Sequence, residues 1–411
     1  MGEDSLSSHG DRPVNLMLRW RLLDVRLRTL RLQGSRPEQQ ADIAALQTLA
    51  DDMNDDWRRG EAALRRSEFA FRVADYTTMQ SAARQAMALA ERTGDEVQKL
   101  EGQALLAGSL NRLGDAVAGK ALAQDGLAAA RSRGLRHVEV RFLRALGGIA
   151  EGQGDYMAAL EIDQQILLIY RETSSRWGEA VALGFVGESW LKLGVIGQAR
   201  RHLEESLRLT RAIGDRAGEP YPLNLLSLIA LWEGDYALAL AHAQAALEVA
   251  VALQDQAAET KALVRLGEAE LALGRHAAAT EAFDRAFAVA SATDSVNRHD
   301  ASAGLARIAL ASGDVVAARL ALEGLLAHLG GGGTLKGTNA QRIRLTCHQV
   351  LARTGDPRAA ELLAAAHTEL QARAGTITDA ALRQSLLNNI PEHREIVAAW
   401  ATRQAVSPGP Q

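Results

Sequence analysis

The spacing of apolar and polar residues predicts paired helices along most of the chain. From Val14 to Gln33, apolar residues recur at intervals of four and three, which places them on one face of a helix. The window Gly214–Thr293 holds two similar units, each a pair of helices broken by a glycine. A helix pair is therefore the unit that we expect to repeat. The apolar face of the first helix comprises Leu16, Trp20, Leu23, Leu27 and Leu30.

The breaks between helices recur with a period of 40 residues. A second series of breaks runs half a period out of step with the first. A fixed period in this range is typical of stacked-repeat proteins. The first series is Gly34, Ala74, Gly114, Gly154, Gly194, Gly234, Gly274, Gly313 and Gly355, and the second is Gly94, Gly134, Ser174, Gly214, Gln254 and Asp294.

The residues around these breaks have the chemistry of helix ends. Several glycines precede an aspartate, as in Gly114-Asp115 and Gly234-Asp235. Glycine adopts the left-handed conformation that ends a helix, and aspartate caps the free amides of the next helix. Pro220 falls in a first helical turn, where a missing N–H is tolerated.

Small residues recur at fixed distances from the first series of breaks. Gly187 and Gly267 lie seven residues before a break, and Ala199 and Ala279 lie five residues after one. Small side chains at such positions allow two helix backbones to approach closely. We therefore expect tight contacts between the two helices of each pair.

These patterns predict an all-α, right-handed solenoid of about nine helix pairs followed by C-terminal capping helices. The predicted segments are a disordered N-terminus at 1–13, an atypical first helix pair at 14–56, the repeat array at 57–330, a glycine-rich joint at 331–337, a final pair with capping helices at 338–403, and a disordered tail at 404–411.

The sequence around the breaks resembles the tetratricopeptide repeat. A Leu-Gly step, then Gly-Asp-Tyr seven residues later, then an alanine five after that glycine, form the shared pattern, although the period exceeds the usual 34 residues. Three stretches are similar to the sensor arms of bacterial signal-transduction ATPases, adenylate cyclases and maltose-regulator-like transcription factors. They are GDRAGE at Gly214–Glu219, LGRHAAA at Leu273–Ala279, and the run Ile377–Trp400.

This resemblance implies a binding or sensing role. Regulators of this kind carry an NTPase module, and often a cyclase or DNA-binding domain, ahead of the arm. This sequence contains none, so we expect a free-standing arm or one whose effector lies on another chain. A regulatory, ligand-sensing arm is therefore an alternative to a plain interaction scaffold.

Composition narrows the classes of partner. Hydrophobic residues make up 47% of the chain and aromatic residues 4%, which indicates a core of alanine and leucine in close-packed helices. A formal net charge of −4 argues against general nucleic-acid binding. The arginine-rich first helix keeps nucleic-acid binding open as a less favoured alternative. With no apolar signal segment, no membrane-length apolar run and one cysteine, we expect a cytoplasmic protein without a membrane partner.

The sequence contains no pattern typical of catalysis. The order Lys336-Gly337-Thr338 differs from that of a phosphate-binding loop, and the histidines lack metal-site spacing. Cys347 falls at a core position, so we expect a buried, inert thiol. We therefore predict no enzyme activity, no cofactor and no metal.

The remaining candidate site is a concave face lined by the first helix of each pair. Charged, amide and aromatic side chains on that face could hold an extended peptide or a helix, since Tyr, Trp and Arg are frequent anchors of interfaces. We predict a partner-binding groove at Arg141, Arg144, Glu188, Lys192, Tyr221, Asn224, Trp232, Lys261, Glu268 and Arg307.

Overall fold

The protein is described by a computed structural model that covers residues 11–293, 295, 297–333, 335 and 339–406. Throughout these residues the regular elements are helices, which confirms the predicted all-α class and the repeat of helix pairs. The pairs are α1 (Asp11–Gln33) with α2 (Arg36–Asp52), α3 (Asp56–Arg72) with α4 (Tyr76–Thr93), α5 (Glu96–Arg112) with α6 (Ala116–Ser132), α7 (Arg136–Gly152) with α8 (Tyr156–Glu172), α9 (Arg176–Lys192) with α10 (Ile196–Ala212), α11 (Pro220–Glu233) with α12 (Tyr236–Ala252), α13 (Gln256–Ala272) with α14 (His276–Ala292), α15 (Arg298–Ala311) with a second helix broken into α16 (Val315–Ala321) and α17 (Glu323–Gly330), and α18 (Ala340–Arg353) with α19 (Arg358–Thr376), followed by α20 (Ala380–Asn388) and α21 (Pro391–Val406).

The periodic breaks are turns with a left-handed residue. The φ angle is positive at the glycines of both predicted series, and also at Ala74, Ser174 and Gln254, where another residue occupies the glycine position. Asn54 has φ 50° and extends the second series one period upstream, which the sequence analysis did not include. Asp294 lies outside the described residues. Many turns continue into an aspartate cap, as where Asp235 accepts from the Leu238 amide at 3.0 Å.

The small residues lie where the two helices of a pair touch. A Cβ on Gly187 would meet Leu203 at 2.7 Å, and one on Gly267 would meet Phe283 at 2.8 Å. At the same repeat position Ser227 donates its hydroxyl to the Ala239 carbonyl at 2.8 Å. The side chains of Leu203 and Phe283 fill the space beside these positions, so a glycine fits there without displacing them.

The helices group into two compact units, and each is considered by itself. Unit 1 contains the residues up to Gln153 together with 161–175, and unit 2 contains 154–160 and the residues from Arg176 onwards. The predicted array at 57–330 includes residues of both units, and its bounds stay a prediction. Because each repeat contacts mainly its neighbours, a division inside an array leaves no mark in composition.

Unit 1 begins with a helix that is buried on one side only. Helix α1 starts at Asp11, inside the stretch predicted to be disordered, while residues 1–10 lie outside the described part. Leu27 is buried against Ile43 and Leu46 of α2. Two arginines of its basic face are paired with acids, since Arg26 contacts Asp42 at 2.6 Å and Arg28 contacts Asp24 at 2.8 Å. Leu18, Leu22 and Val25 are exposed on another face.

Unit 2 ends with two helices that pack back onto the repeats. Leu386, Ile390 and Ile396 of this C-terminal part are buried. Asn389 donates its side-chain amide to the Gly194 carbonyl at 3.0 Å, across a separation of 195 residues. The capping helices therefore contact α9–α10 as well as the last pair, which the repeat pattern did not predict.

The glycine-rich joint predicted at 331–337 and the thiol of Cys347 both lie in unit 2. Of the predicted joint at 331–337, residues 334, 336 and 337 lie outside the described part, and Gly330 still belongs to α17. Cys347 is fully buried, and burial raises the pKa of its thiol to about 12. In the part of the chain described, we find no helix with the length and apolar character needed to span a membrane.

Candidate functional site

The first helices of the pairs form a concave face in each unit. In unit 1, Arg141 of α7 contacts Glu68 of α3 at 2.5 Å. In unit 2, Arg265 of α13 donates to Asn339, just before α18, at 3.1 Å. Both contacts join helix pairs that are two repeats apart. Side chains from such distant pairs can meet only where the stacked helices curve towards each other, so this face is concave within each unit.

Arg141 is the centre of the charged cluster in unit 1. It pairs with Glu68 and, at 3.4 Å, with Glu101. Burial opposes ionisation of Glu68, but Arg141 and Arg65 hold the pKa of its carboxyl below the ordinary value. Burial raises the pKa of Glu101, since Arg141 compensates only part of the lost hydration.

Arg144 lies one turn further along α7. Its charge acts on Tyr170, whose pKa is raised because burial outweighs the nearby guanidiniums of Arg144 and Arg141. Arg141 therefore lies beside acidic side chains, and Arg144 lies near the phenol of Tyr170.

A second cluster joins α9 and α11 in unit 2. Lys192 contacts Glu188 at 2.9 Å, and the Tyr221 hydroxyl donates to the same carboxylate. Burial opposes ionisation of Glu188, yet Lys192, Tyr221 and the more distant Lys261 keep the pKa of its carboxyl low. The Tyr221 ring also packs edge-on against Phe185 at 5.6 Å between centroids. Four of the predicted residues thus lie in one electrostatic cluster.

Asn224 is a predicted residue whose side chain is buried and bonds within its own helix. It donates to the Pro220 carbonyl at 2.8 Å, within its own helix. Its Oδ1 atom has no hydrogen-bond partner among the described residues. In this conformation Asn224 supports the start of α11.

The third group, which we call the arginine cluster, consists of Arg265, Glu268, Arg307 and Arg342. Glu268 contacts Arg265 at 2.5 Å, Arg307 at 3.7 Å and also Arg342. Burial opposes its ionisation, but the three guanidiniums lower the pKa of its carboxyl to about 2. Burial, and then the charge of Arg342, lower the pKa of Arg307.

Arg342 belongs to the arginine cluster, although the sequence analysis did not name it. It lies 13 residues before Gly355, the same distance that separates Arg141, Tyr221 and Lys261 from their own glycines. The glycine period could therefore have identified it. Glu392, in the C-terminal part, contacts Arg342 at 3.6 Å, and no repeat position in the sequence predicts this contact.

A small cavity lies on the concave face of unit 2, beneath the C-terminal part. Its volume is ≈ 30 Å³, about that of a water molecule in the liquid. Lys192 and Trp232 line it together with Gln341 of α18, and Ile390 and Glu392 close it. Trp232 Nε1 and both amide atoms of Gln341 are buried and have no partner in the described part of the protein.

A larger hollow of ≈ 640 Å³ in unit 1 lacks, among the described residues that line it, the unpartnered buried atoms found at Trp232 and Gln341. Its charged groups already pair with each other, with Arg59 contacting Asp51 at 2.6 Å and Arg92 contacting Asp56 at 2.5 Å. For the residues that the structure describes, no group of three or more His, Cys, Asp or Glu side chains could hold a metal ion.

Comparison with protein-family models and with curated proteins finds no match. Solved structures do match. A Rap protein complexed with competence and sporulation factor has a TM-score of 0.58 at 16% identity, over 84% of this chain and 98% of that chain. The quorum sensor NprR in complex with its cognate peptide NprX has a TM-score of 0.52 at 11% identity, over 83% of this chain and 99% of that chain.

A third match is a Signal Transduction ATPase with Numerous Domains from Pyrococcus horikoshii, which has a tetratricopeptide repeat sensor. Its TM-score is 0.54 at 16% identity, over 77% of this chain and 47% of that chain. At these identities the likeness concerns the fold. The chain thus has the fold of tetratricopeptide-like helical-repeat proteins, as the sequence pattern predicted.

Proposed function

We propose that the chain is an interaction scaffold that binds an extended peptide on the concave face of unit 2, by recognition and not by catalysis. The main support is the cavity below the C-terminal part. Three hydrogen-bonding atoms of Trp232 and Gln341 are buried there without a partner in the described residues. Such atoms destabilise a fold, and apolar side chains would avoid that penalty. The cavity has room for one water, and a peptide backbone that reaches these atoms would replace that water.

The neighbouring side chains are already held in place. Glu188 is fixed by Lys192 and by the Tyr221 hydroxyl, and Glu268 is fixed by the arginine cluster. A surface with few free rotamers loses little conformational entropy when it binds a partner. Buried aromatic and arginine side chains are also the residue types that dominate binding energy in interfaces.

The comparisons agree with this proposal. NprR was solved in complex with its cognate peptide. The Rap protein was solved with competence and sporulation factor. We extend peptide binding to this chain because its unit 2 combines the same type of fold with an incompletely hydrogen-bonded concave site.

Selection from a random peptide library against the immobilised full-length protein tests the proposal. Trp232→Phe removes the indole N–H and keeps the apolar ring, and Gln341→Leu removes the amide. We expect either variant to weaken the selected peptides about tenfold, the effect of losing one hydrogen bond at a buried site. The helical circular-dichroism signal should stay unchanged.

Trp57→Phe is the matched control in unit 1. Trp57 donates its indole N–H to Asp95 at 2.7 Å and lies outside unit 2. Its replacement should leave the affinity of the selected peptides unchanged. The proposal is wrong if the library yields no peptide whose binding depends on Trp232 or Gln341.

A second candidate function is that of a regulatory sensor arm for a separate NTPase, cyclase or transcription regulator. The likeness to the structure with a tetratricopeptide repeat sensor supports it. Affinity purification with the full-length protein, followed by mass spectrometry, should then recover an effector whose activity changes when the scaffold is added. Recovery of partners without any such activity would favour the plain scaffold.

A further inference from the structure

Residues 380–406, helices α20 and α21 with their connection, are called the closing segment. The segment lies against the turn between α9 and α10. Asn389 donates to the Gly194 carbonyl at 3.0 Å, and a Cβ on Gly194 would collide with the backbone carbonyl of Ser385. Leu386 and Ile396 are fully buried. The segment therefore covers part of the concave face of unit 2.

The closing segment places carboxylates beside the arginine cluster. Glu392 contacts Arg342 at 3.6 Å, and its side chain is 6% exposed. Glu395 accepts from Gln349 at 3.3 Å and acts electrostatically on Arg307. The N-terminal part of α21 thus brings two acidic residues to the site.

The arginine cluster needs such an anion. Without the closing segment, Arg265, Arg307 and Arg342 all contact one carboxylate, that of Glu268. Asp300, the other nearby acid, accepts a hydrogen bond from Asn339 at 2.6 Å, so at most two carboxylates oppose the three guanidiniums. Because a buried surplus of positive charge is unfavourable, this surface has a strong preference for an additional carboxylate.

The closing segment satisfies the charge but not the hydrogen bonds. Below Ile390 and Glu392, the amide of Gln341 and the indole N–H of Trp232 have no partner in the described residues. A ligand that offers polar backbone atoms as well as a carboxylate would satisfy both sets of groups. An acidic peptide has this chemistry.

We propose that the surface around Arg342, Arg307, Gln341 and Trp232 is a carboxylate-recognition site for an acidic peptide, which binds by displacing the closing segment. In this scheme Glu392 occupies the position of a partner carboxylate. The inference rests on the proposed function of unit 2 and adds the chemical class of the partner and the competitor that it must displace.

Two glycine variants of the full-length protein test the displacement. Gly194→Ala should weaken docking of the closing segment, since the new Cβ meets the Ser385 backbone. Gly234→Ala is the matched control because Gly234 has the same left-handed conformation, with φ 81°, while its Cβ would meet no described atom within 4 Å. Hydrogen exchange of residues 380–406 should accelerate in Gly194→Ala alone.

The probe for binding is a fluorescent peptide with the sequence of residues 389–400, NIPEHREIVAAW. Its affinity should rise about tenfold in Gly194→Ala relative to the wild type and to Gly234→Ala, because the competing segment occupies the site less often. A peptide with glutamine at the two positions of Glu392 and Glu395 should bind about tenfold more weakly, as should the acidic peptide to Arg342→Gln.

Asn389→Ala provides a second route should Gly194→Ala fail to fold, since it removes the hydrogen bond to Gly194 without adding strain to the turn. Equal hydrogen exchange in the wild type and in these variants would show that the segment is a permanent part of the array. Equal binding of the acidic and glutamine peptides would exclude carboxylate recognition. Either result overturns the inference, while library peptides that still depend on Trp232 would leave the scaffold function standing.

Discussion

Glu268 and Arg342 form a buried ion pair although 74 residues separate them in the sequence. Arg265 and Arg307 contact the same carboxylate. The cluster therefore links three consecutive helix pairs of unit 2. Its contribution to stability depends on the carboxylate, because three guanidiniums cannot be buried together without one.

Glu268→Gln should destabilise the protein by about 3 kcal/mol, since it leaves the guanidiniums without their central counter-charge. Urea unfolding followed by circular dichroism measures the change. Glu205→Gln is the control, because the side chains of Glu205 and its partner Arg208 are 42% and 62% exposed. Exposed pairs contribute below about 1 kcal/mol. Equal effects of the two variants would contradict a special role for the cluster.

The same carboxylate predicts the response to acid. Its pKa falls from 4.5 to about 2 in the folded protein, so the folded state binds the proton less readily than the unfolded state. The stabilisation is complete above about pH 4.5 and is lost as the pH falls towards 2, by roughly 3 kcal/mol. The difference in unfolding free energy between the wild type and Glu268→Gln should shrink over this pH range. A difference that stays constant over this range would show that Glu268 does not cause the loss of stability in acid.

Gly187→Leu should destabilise unit 2 by about 1–3 kcal/mol, because the added side chain overlaps Leu203 at the contact between α9 and α10. Thermal unfolding should show a lower midpoint. Gly197→Ala in α10 is the control, since its Cβ would meet no described atom within 4 Å. That variant should be neutral or slightly stabilising, as alanine favours helix.

Ala74→Gly should stabilise unit 1 by about 0.5–1 kcal/mol. Ala74 has φ 59° at a position where most repeats carry glycine, and a Cβ is disfavoured in that region. Chemical unfolding provides the measurement. Gln254 has φ 52°, so Gln254→Gly should also increase the free energy of unfolding. A loss of stability in both would show that the turns tolerate the strain for another reason.

Cys347 should not react with iodoacetamide in the native protein at pH 8. Its side chain is fully buried, and burial raises the thiol pKa to about 12, so the reactive thiolate is scarce. Mass spectrometry should detect alkylation only after unfolding. Rapid alkylation of the native protein would mean that α18 opens locally.

The helices were predictable because their ends depend on local chemistry. Gly234 ends α11 and Asp235 caps α12, and both effects are complete within a few residues. The series of breaks therefore gives the helix pairs, even where Ala74 or Ser174 replaces glycine. The break of the eighth pair at Leu322 was not predicted, because Gly324, two residues beyond it, falls outside the 40-residue series.

The site was only partly predictable because its contacts depend on how strongly the stacked pairs curve. The repeat register placed Glu268 and Arg307 on the inner face, but the meeting of Glu268 with Arg342 requires the positions of helices two repeats apart. The hydrogen bond between Asn389 and Gly194 joins residues 195 positions apart, so no local sequence pattern predicts it. The unpartnered amide of Gln341 becomes visible only when every neighbour is in place.

The bond between Asn389 and Gly194 has a consequence for how unit 2 comes apart. In an open stack of repeats, the terminal units can fray one after another, because each is held by a single neighbour. Here the end of the chain is fastened to a turn several repeats upstream. While the closing segment is docked, loss of the last pair must therefore coincide with its release from that turn. Without a bound peptide, unit 2 should melt in one cooperative step.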